Sequence, residues 1–227
     1  MQQNELDRIE RTCTCHDCDD IPKVANAGEI LVDSGSDSIQ LMHNGLKVFT
    51  DSHYGSYNIE VIKRLRGHHE PQEERVFHAL LGFLPAKAVM IELGSFWAYY
   101  SLWFHQAVSC PGNFMVEPMK ECLNWGQRNF DLNEYEGNFT QAAVGRRSLK
   151  STPFAHWDGR GFNVPQICID DFMPKNDLSQ VDILHADIQG SEYEMLLGAR
   201  ESLRKHCIRY VFISTHAEHL HQLCLGF

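Results

Sequence analysis

Apolar and polar positions change period several times along this chain, and each change marks an element. Up to about residue 27 the sequence is polar and acidic with no period, which predicts a loosely ordered tail. Three β-prone runs follow, at residues 29–33, 38–42 and 46–49, with His43-Asn44-Gly45 between the last two. Asn-Gly accepts the positive φ that a tight turn demands, so an antiparallel hairpin is expected there. A short helix is expected over residues 59–66. Pro71 suits the first turn of a clearer helix, because its missing N–H has no partner at that position anyway. Val76 and Leu80, then Phe77 and Leu81, recur at four-residue spacing before Pro85 closes the segment.

From residue 88 the pattern alternates. Short apolar runs at residues 88–91, 114–116, 139–144, 181–186 and 208–213 predict strands. Helices are expected between them, over residues 97–108 and 119–133, and from Ser191 onward. The stretch around Trp157, Gly159 and Gly161 is less regular. Ser191 with Glu194 three residues on reads as a capping box, and Leu196, Ala199 and Leu203 supply an apolar stripe. Strands alternating with helices predict a parallel sheet covered on both faces, a Rossmann-like α/β fold. Polar residues gather just past the strand ends: Glu92, Glu117, Asp187 and His216. Open α/β sheets bind ligands outside the carboxyl ends of their strands, so the pattern locates a site.

Length and composition narrow the class. A chain of 227 residues suits one α/β domain over residues 70–227 and an N-terminal extension over residues 1–69. Apolar residues make up 43% and charged residues 22%, ordinary values for a globular protein. A net charge of −10 argues against a nucleic-acid partner. The basic stretch at residues 63–66 reads as a solvated helix face. No run reaches the ~18 apolar residues that span a bilayer. The N-terminus has no apolar core of a signal peptide, so a cytoplasmic location is expected and no membrane partner. Without a secretory signal, Asn138-Phe139-Thr140 is a chance match to a glycosylation sequon.

Of eight cysteines, five are scattered and read as reduced core thiols. Cys13, Cys15 and Cys18 cluster around His16, and such donors can hold zinc. The C-x-C-x-x-C spacing is not that of a zinc ribbon, and no second Cys/His pair lies nearby in sequence. The expectation is therefore a flexible tail with no metal assigned.

The chemistry of the strand ends is more specific. Gly94, in Glu92-Leu93-Gly94-Ser95, lets the backbone turn sharply and approach a ligand. Glu117 stands 23 residues beyond Gly94 at the next strand end. An acidic residue about 20 residues past such a turn is placed to grip a ribose diol. The pair indicates an adenosine-containing cofactor. Dinucleotide binders use G-x-G-x-x-G to seat a pyrophosphate. Here Phe96, Trp97, Tyr99 and Tyr100 fill that space, which argues against NAD. Most of these aromatics are expected in the core. Asp187 could orient an acceptor, take its proton, or help cap the next helix. His216 is a second candidate base. His185, two residues before Asp187 and on the same face, reads as a satisfied core histidine.

Ile91-Glu92-Leu93-Gly94-Ser95, Val116-Glu117-Pro118, Ala142-Ala143-Val144-Gly145, Ile169-Asp170-Asp171-Phe172 and the run from Asp182 to Glu192 occur in this order. Together they resemble the FkbM family of methyltransferases over roughly residues 70–216. The resemblance implies a class I methyltransferase fold and S-adenosylmethionine as donor. It also implies O-methylation of sugars, polyketides or other small hydroxylated molecules. By position, Glu92, Gly94 and Ser95 would line the methionine side of the cofactor, and Glu117 would hold the ribose. Ala143 and Val144 would flank adenine, and Asp187 and Gln189 would face the methyl and acceptor.

The family's sheet continues beyond the fifth strand into a helix and a two-strand hairpin, whereas the sequence stops at Phe227. The resemblance thus implies a C-terminally truncated domain whose fifth strand lies at an exposed edge. A homodimer would cover that edge. For the chemistry, Asp187 or His216 is the expected base, with a divalent metal held by carboxylates as the alternative. Two other classes remain: a non-catalytic Rossmann-like binding module, and a nicotinamide-dependent oxidoreductase.

Overall fold

The computed structural model describes residues 3–32, 38–53, 55–155 and 159–227. Helix α1 (Gln3–Cys13) leads into an antiparallel sheet of β1 (Ile30–Val32), β2 (Ser38–Leu41) and β3 (Lys47–Phe49). The predicted Asn44-Gly45 turn joins β2 to β3, with Gly45 at φ +89°. Then come α2 (Gly55–Arg64) and α3 (Pro71–Leu81), the latter opened by its proline as expected. The alternating half comprises β4 (Val89–Leu93), α4 (Tyr99–Ala107), β5 (Gly112–Val116), α5 (Lys120–Leu132) and β6 (Asn138–Thr140). It continues with β7 (Ala143–Val144), β8 (Leu149–Ala155), β9 (Gly161–Ile167) and α6 (Ile169–Lys175). Last come β10 (Val181–Ala186), α7 (Glu192–Leu197), α8 (Arg200–Arg204), β11 (Ile208–Ile213) and α9 (Glu218–Leu225).

Five strands form one parallel sheet in the order β11-β10-β4-β5-β6, with β11 at an edge. Alternation along the strands divides the core in two. Met90, Met115 and Ile183 face one layer, with α4 and the N-terminal elements. Ile91, Leu93, Val116, Leu184 and Ala186 face the other, with Phe172 of α6, Met195 of α7 and Ala199 before α8. Among the described residues no helix is long and apolar enough to cross a membrane.

Four expectations need correction. Residues before 27 are not a loose tail among those described: α1 forms, and Ile9, Cys18 and Ile21 are buried. Cys18, Ile21, Met42, Leu46 and Val48 share one core with Phe77, Met90 and Trp97, so the extension packs directly on the α/β half. The outer contacts are ionic. Arg64 at the end of α2 bonds both carboxylate oxygens of Glu10, and Arg75 bonds Asp20. So few apolar positions among so many charges leave no legible period.

The run at 139–144 is two strands in different sheets. β6 extends the parallel sheet, and β7 pairs with β9 in a three-stranded sheet ordered β7-β9-β8. The helix expected from Ser191 is broken into α7 and α8 at Gly198-Ala199. A Cβ on Gly198 would overlap the carbonyl oxygen of Gly145, so a close backbone approach governs this break. The capping box is absent too. Ser191 makes no side-chain cap, and Glu194 reaches out to Arg146 at 2.9 and 3.0 Å.

Candidate active site

The turn after β4 is a tight junction between three strands. Gly94 has φ +73°, and a Cβ there would overlap the Asp187 carbonyl oxygen at the end of β10. Its N–H and that of Ser95 donate to Val116 of β5 at 2.8 and 3.1 Å, while Asp187 N–H donates to Leu93 at 3.0 Å. Glycine is needed here for both space and conformation. The loop then passes through two non-glycine residues in the left-handed region, Phe96 (φ 46°) and Ala98 (φ 63°), before α4 begins at Tyr99. Backbone strain of this kind concentrates at ligand sites.

Glu117 follows β5 directly and is buried. Its carboxylate accepts the N–H of Phe96 at 3.0 Å and of Met119 at 2.9 Å, so it ties the glycine turn to the start of α5. Burial pushes its pKa up to about 7 in spite of these bonds. Ser95 lies beside it with a buried hydroxyl that has no hydrogen-bond partner. Glu92 turns to the other side of the strand end. Buried against α4, it accepts the Ser101 N–H at 3.2 Å, and burial pushes it up to about 8. Glu92 is thus a strut under the loop.

Past β10 and β11 the structure assembles a polar cluster. Gln189, itself at φ 51°, places its side-chain nitrogen 3.0 Å from Asp187 Oδ1 and 2.8 Å from His216 Nε2. His216 Nε2 lies 3.2 Å from Asp187 Oδ1, and Nδ1 lies 2.9 Å from Oε1 of the fully buried Glu192. One proton arrangement accounts for the hydrogen bonds among these four groups and leaves Glu192 Oε2 buried without a hydrogen-bond partner. His216 donates from Nδ1 to Glu192, and the Gln189 amide donates one hydrogen to Asp187 and the other to Nε2. Burial raises the Asp187 pKa, and nearby Glu70 adds to that. Asp187, Gln189 and His216, singled out from the sequence, do come together. Glu192 was not legible as their partner, because an acid in the first turn of a helix reads as ordinary dipole compensation.

The start of α3 closes over this cluster. Glu73 accepts the Ser214 hydroxyl at 2.7 Å, just past β11. Burial, then Glu70 and later Asp187, push it up to about 7. Its second oxygen, Oε2, is buried with no hydrogen-bond partner. Glu70 accepts the Tyr100 hydroxyl at 3.1 Å and pairs with His69 at 3.2 Å. Burial opposes a charge on His69, but Glu70 and Glu74 outweigh it and raise its pKa to about 10. The acids of Gly67-His68-His69-Glu70-Pro71-Gln72-Glu73-Glu74 were the residues sequence reasoning missed. Their crowding within six residues of a His-His pair was the available signal.

His185 is buried as expected but not satisfied. Neither ring nitrogen has a hydrogen-bond partner, and Nδ1 stands 3.8 Å from Glu92 Oε1. Its ring packs against Tyr100 and Phe212, and burial drives its pKa down to about 4. Ala143 and Val144 lie on β7. Val144 and Gly145 help line a cavity of about 480 Å³ with Arg146, Gln166, Ser191 and Glu194.

A five-stranded parallel sheet with a glycine turn after one strand and a buried carboxylate after the next defines a Rossmann-like α/β protein with its site at the strand ends. The chain belongs to the FkbM methyltransferase family: residues 82–224, more than half of its length, match the methyltransferase FkbM domain. No curated protein matches the sequence. Among solved structures, it is similar to a SAM-dependent methyltransferase from Agrobacterium tumefaciens. The identity is 12% and the TM-score 0.48, over 85% of this chain and 58% of that one. It is also similar to a protein described as a candidate SAM-dependent methyltransferase from Streptococcus mutans. There the identity is 8% and the TM-score 0.46, over 85% of this chain and 46% of that one. The chain thus spans about half the length of these structures.

Proposed function

We propose that this chain is an S-adenosylmethionine-dependent methyltransferase that methylates a hydroxyl of a sugar or other small molecule. The observation that carries the reading is the pairing of two sites at adjacent strand ends. Glu117 with Ser95 stands at the glycine turn, and Asp187 with His216 stands on the neighbouring strands. Family membership supports the choice of cofactor.

The donor chemistry fits. A carboxylate offers about four acceptor sites, and two of those on Glu117 go to backbone N–H groups. The rest suit a ribose diol. The unpartnered Ser95 hydroxyl is a further polar contact, and Val144 offers an apolar wall for adenine. Gly94 and Gln189 shape the backbone between the two sites. When bound, S-adenosylmethionine supplies an electrophilic methyl group on sulfonium sulfur.

The protein must then position a hydroxyl and receive its proton. A neutral alcohol is a weak nucleophile, and a placed base contributes about 10²–10⁴-fold. Glu192 accepts the Nδ1–H of His216, which leaves Nε2 as the basic nitrogen, and an entering hydroxyl takes the place of the Gln189 amide there. Asp187, with its raised pKa, is the second proton acceptor at this point. Glu70 and Glu73 add acceptors over the same space, which suits a substrate bearing several hydroxyls. With Asp187→Asn and His216→Ala made separately, methyl transfer from labelled S-adenosylmethionine to a panel of sugars and small alcohols tests the assignment. Each variant should lose about 100-fold in turnover or more. Full activity in both would contradict it.

A further inference from the structure

The cysteine-rich segment has no part in the cleft, yet the fold completes it. Cys15-His16-Asp17-Cys18 contains a thiol pair at the two-residue spacing that metal sites use, and it lacks a second pair in sequence. The structure brings one. Cys18 is buried and donates its thiol hydrogen to the Pro71 carbonyl at 3.1 Å, at the start of α3. His68 and Glu74, both fully buried, lie on either side of that point in sequence. Cys18 Sγ, a ring nitrogen of His68 and a carboxylate oxygen of Glu74 all lie within 4.8 Å of one another. Among the described residues this is the one group of three such donors.

We propose that Cys18, His68 and Glu74 bind a divalent cation of zinc's class. Thiolate, imidazole and carboxylate are the donors that zinc takes in tetrahedral sites. Bond lengths of about 2.0–2.3 Å set tetrahedral donors roughly 3.3–3.8 Å apart, inside the 4.8 Å that encloses these three. Two features prepare the site. Glu74 is fixed by the N–H groups of His69 and Glu70 at 2.7 and 3.0 Å, and it also bonds His68 Nδ1. His68 Nε2 is left buried with no hydrogen-bond partner, a state that is costly for a polar atom. Cys15, three residues before Cys18, is the nearest further thiol in sequence and the candidate fourth ligand.

The Cys18 thiol donates its hydrogen to the Pro71 carbonyl, and a cation would take the place of that hydrogen. Binding therefore expels a proton and strengthens as pH rises. A site here pins the N-terminal segment to the first turn of α3, the same turn that carries Glu70 and Glu73 over the cleft.

The full chain, purified without metal additives, is titrated with zinc against a chromophoric chelator, and its metal content is measured after gel filtration. One zinc per chain is expected, with affinity falling at least about 100-fold in Cys18→Ser and His68→Ala and unchanged in Cys122→Ser. Should a variant fail to fold, two measurements on the unaltered chain decide. Cobalt(II) should give a thiolate charge-transfer band. Zinc should protect Cys18, mapped by mass spectrometry, from alkylation. A folded chain that retains no zinc, shows no such band and alkylates Cys18 equally with and without zinc would overturn the site and leave a hydrogen-bonded clasp. So would metal binding that survives Cys18→Ser and vanishes in Cys13→Ser.

Discussion

Gly94 and Glu192 show how single residues set the site. Gly94 carries positive φ and has no room for a side chain against the Asp187 carbonyl. Gly94→Ala should therefore cost about 3 kcal/mol or more, read as a fall in the urea midpoint with the slope unchanged. A midpoint within experimental error of the parent would mean the β4–β10 junction yields easily. Glu192 acts through His216. Glu192→Gln keeps the size and an acceptor oxygen but removes the charge that orients the ring. A loss of about 10-fold or more in kcat is expected, with KM for S-adenosylmethionine unchanged. A change confined to KM would contradict its role as a positioning residue.

Among the elements, α1 is the one whose existence most alters the picture. Ile9 is its buried anchor, and Ile9→Ala should cost about 2–5 kcal/mol in chemical unfolding. A loose tail would show no cost. The alternating half was legible because β4, β5 and β10 are mostly apolar runs buried on both faces, β11 still reads as an apolar run though it is half-exposed at the edge, and the strand ends carry the polar residues. The hairpin at Asn44-Gly45 and the start of α3 were legible from turn and proline chemistry. Elements decided by distant contacts were not. β6 and β7 form one apolar run whose partners, β5 and β9, lie in different sheets. α1 has a single buried isoleucine amid charges, and α7 is cut from α8 by an approach of Gly198 to Gly145. At the site, residues that follow strands were readable, while Glu70, Glu73 and Glu192 belong to helix starts where acids are commonplace.

The molecule as a whole stores unusual protonation. Folding holds protons on Glu92, pushed up by burial to about 8, on Glu73 and Glu117 at about 7, and on His69 at about 10. Their ordinary values are 4.5 for the carboxyls and 6.5 for the imidazole. Between pH 6.5 and 8 the folded chain thus binds more protons than the unfolded chain, and stability falls as pH rises. His43 and His53, driven by burial to about 3, and His185, to about 4, act oppositely at lower pH, where the unfolded chain binds more protons. Tm should therefore decline from pH 6.5 to 8, and a Tm that climbs across that interval would contradict these assignments. The central claim is the cofactor. Isothermal titration of the folded chain with S-adenosylmethionine, and in parallel with NAD, tests it most directly. Saturable binding of S-adenosylmethionine alone, weakened at least about tenfold by Glu117→Ala, is predicted. No binding of S-adenosylmethionine, or binding of NAD in its place, would contradict the account.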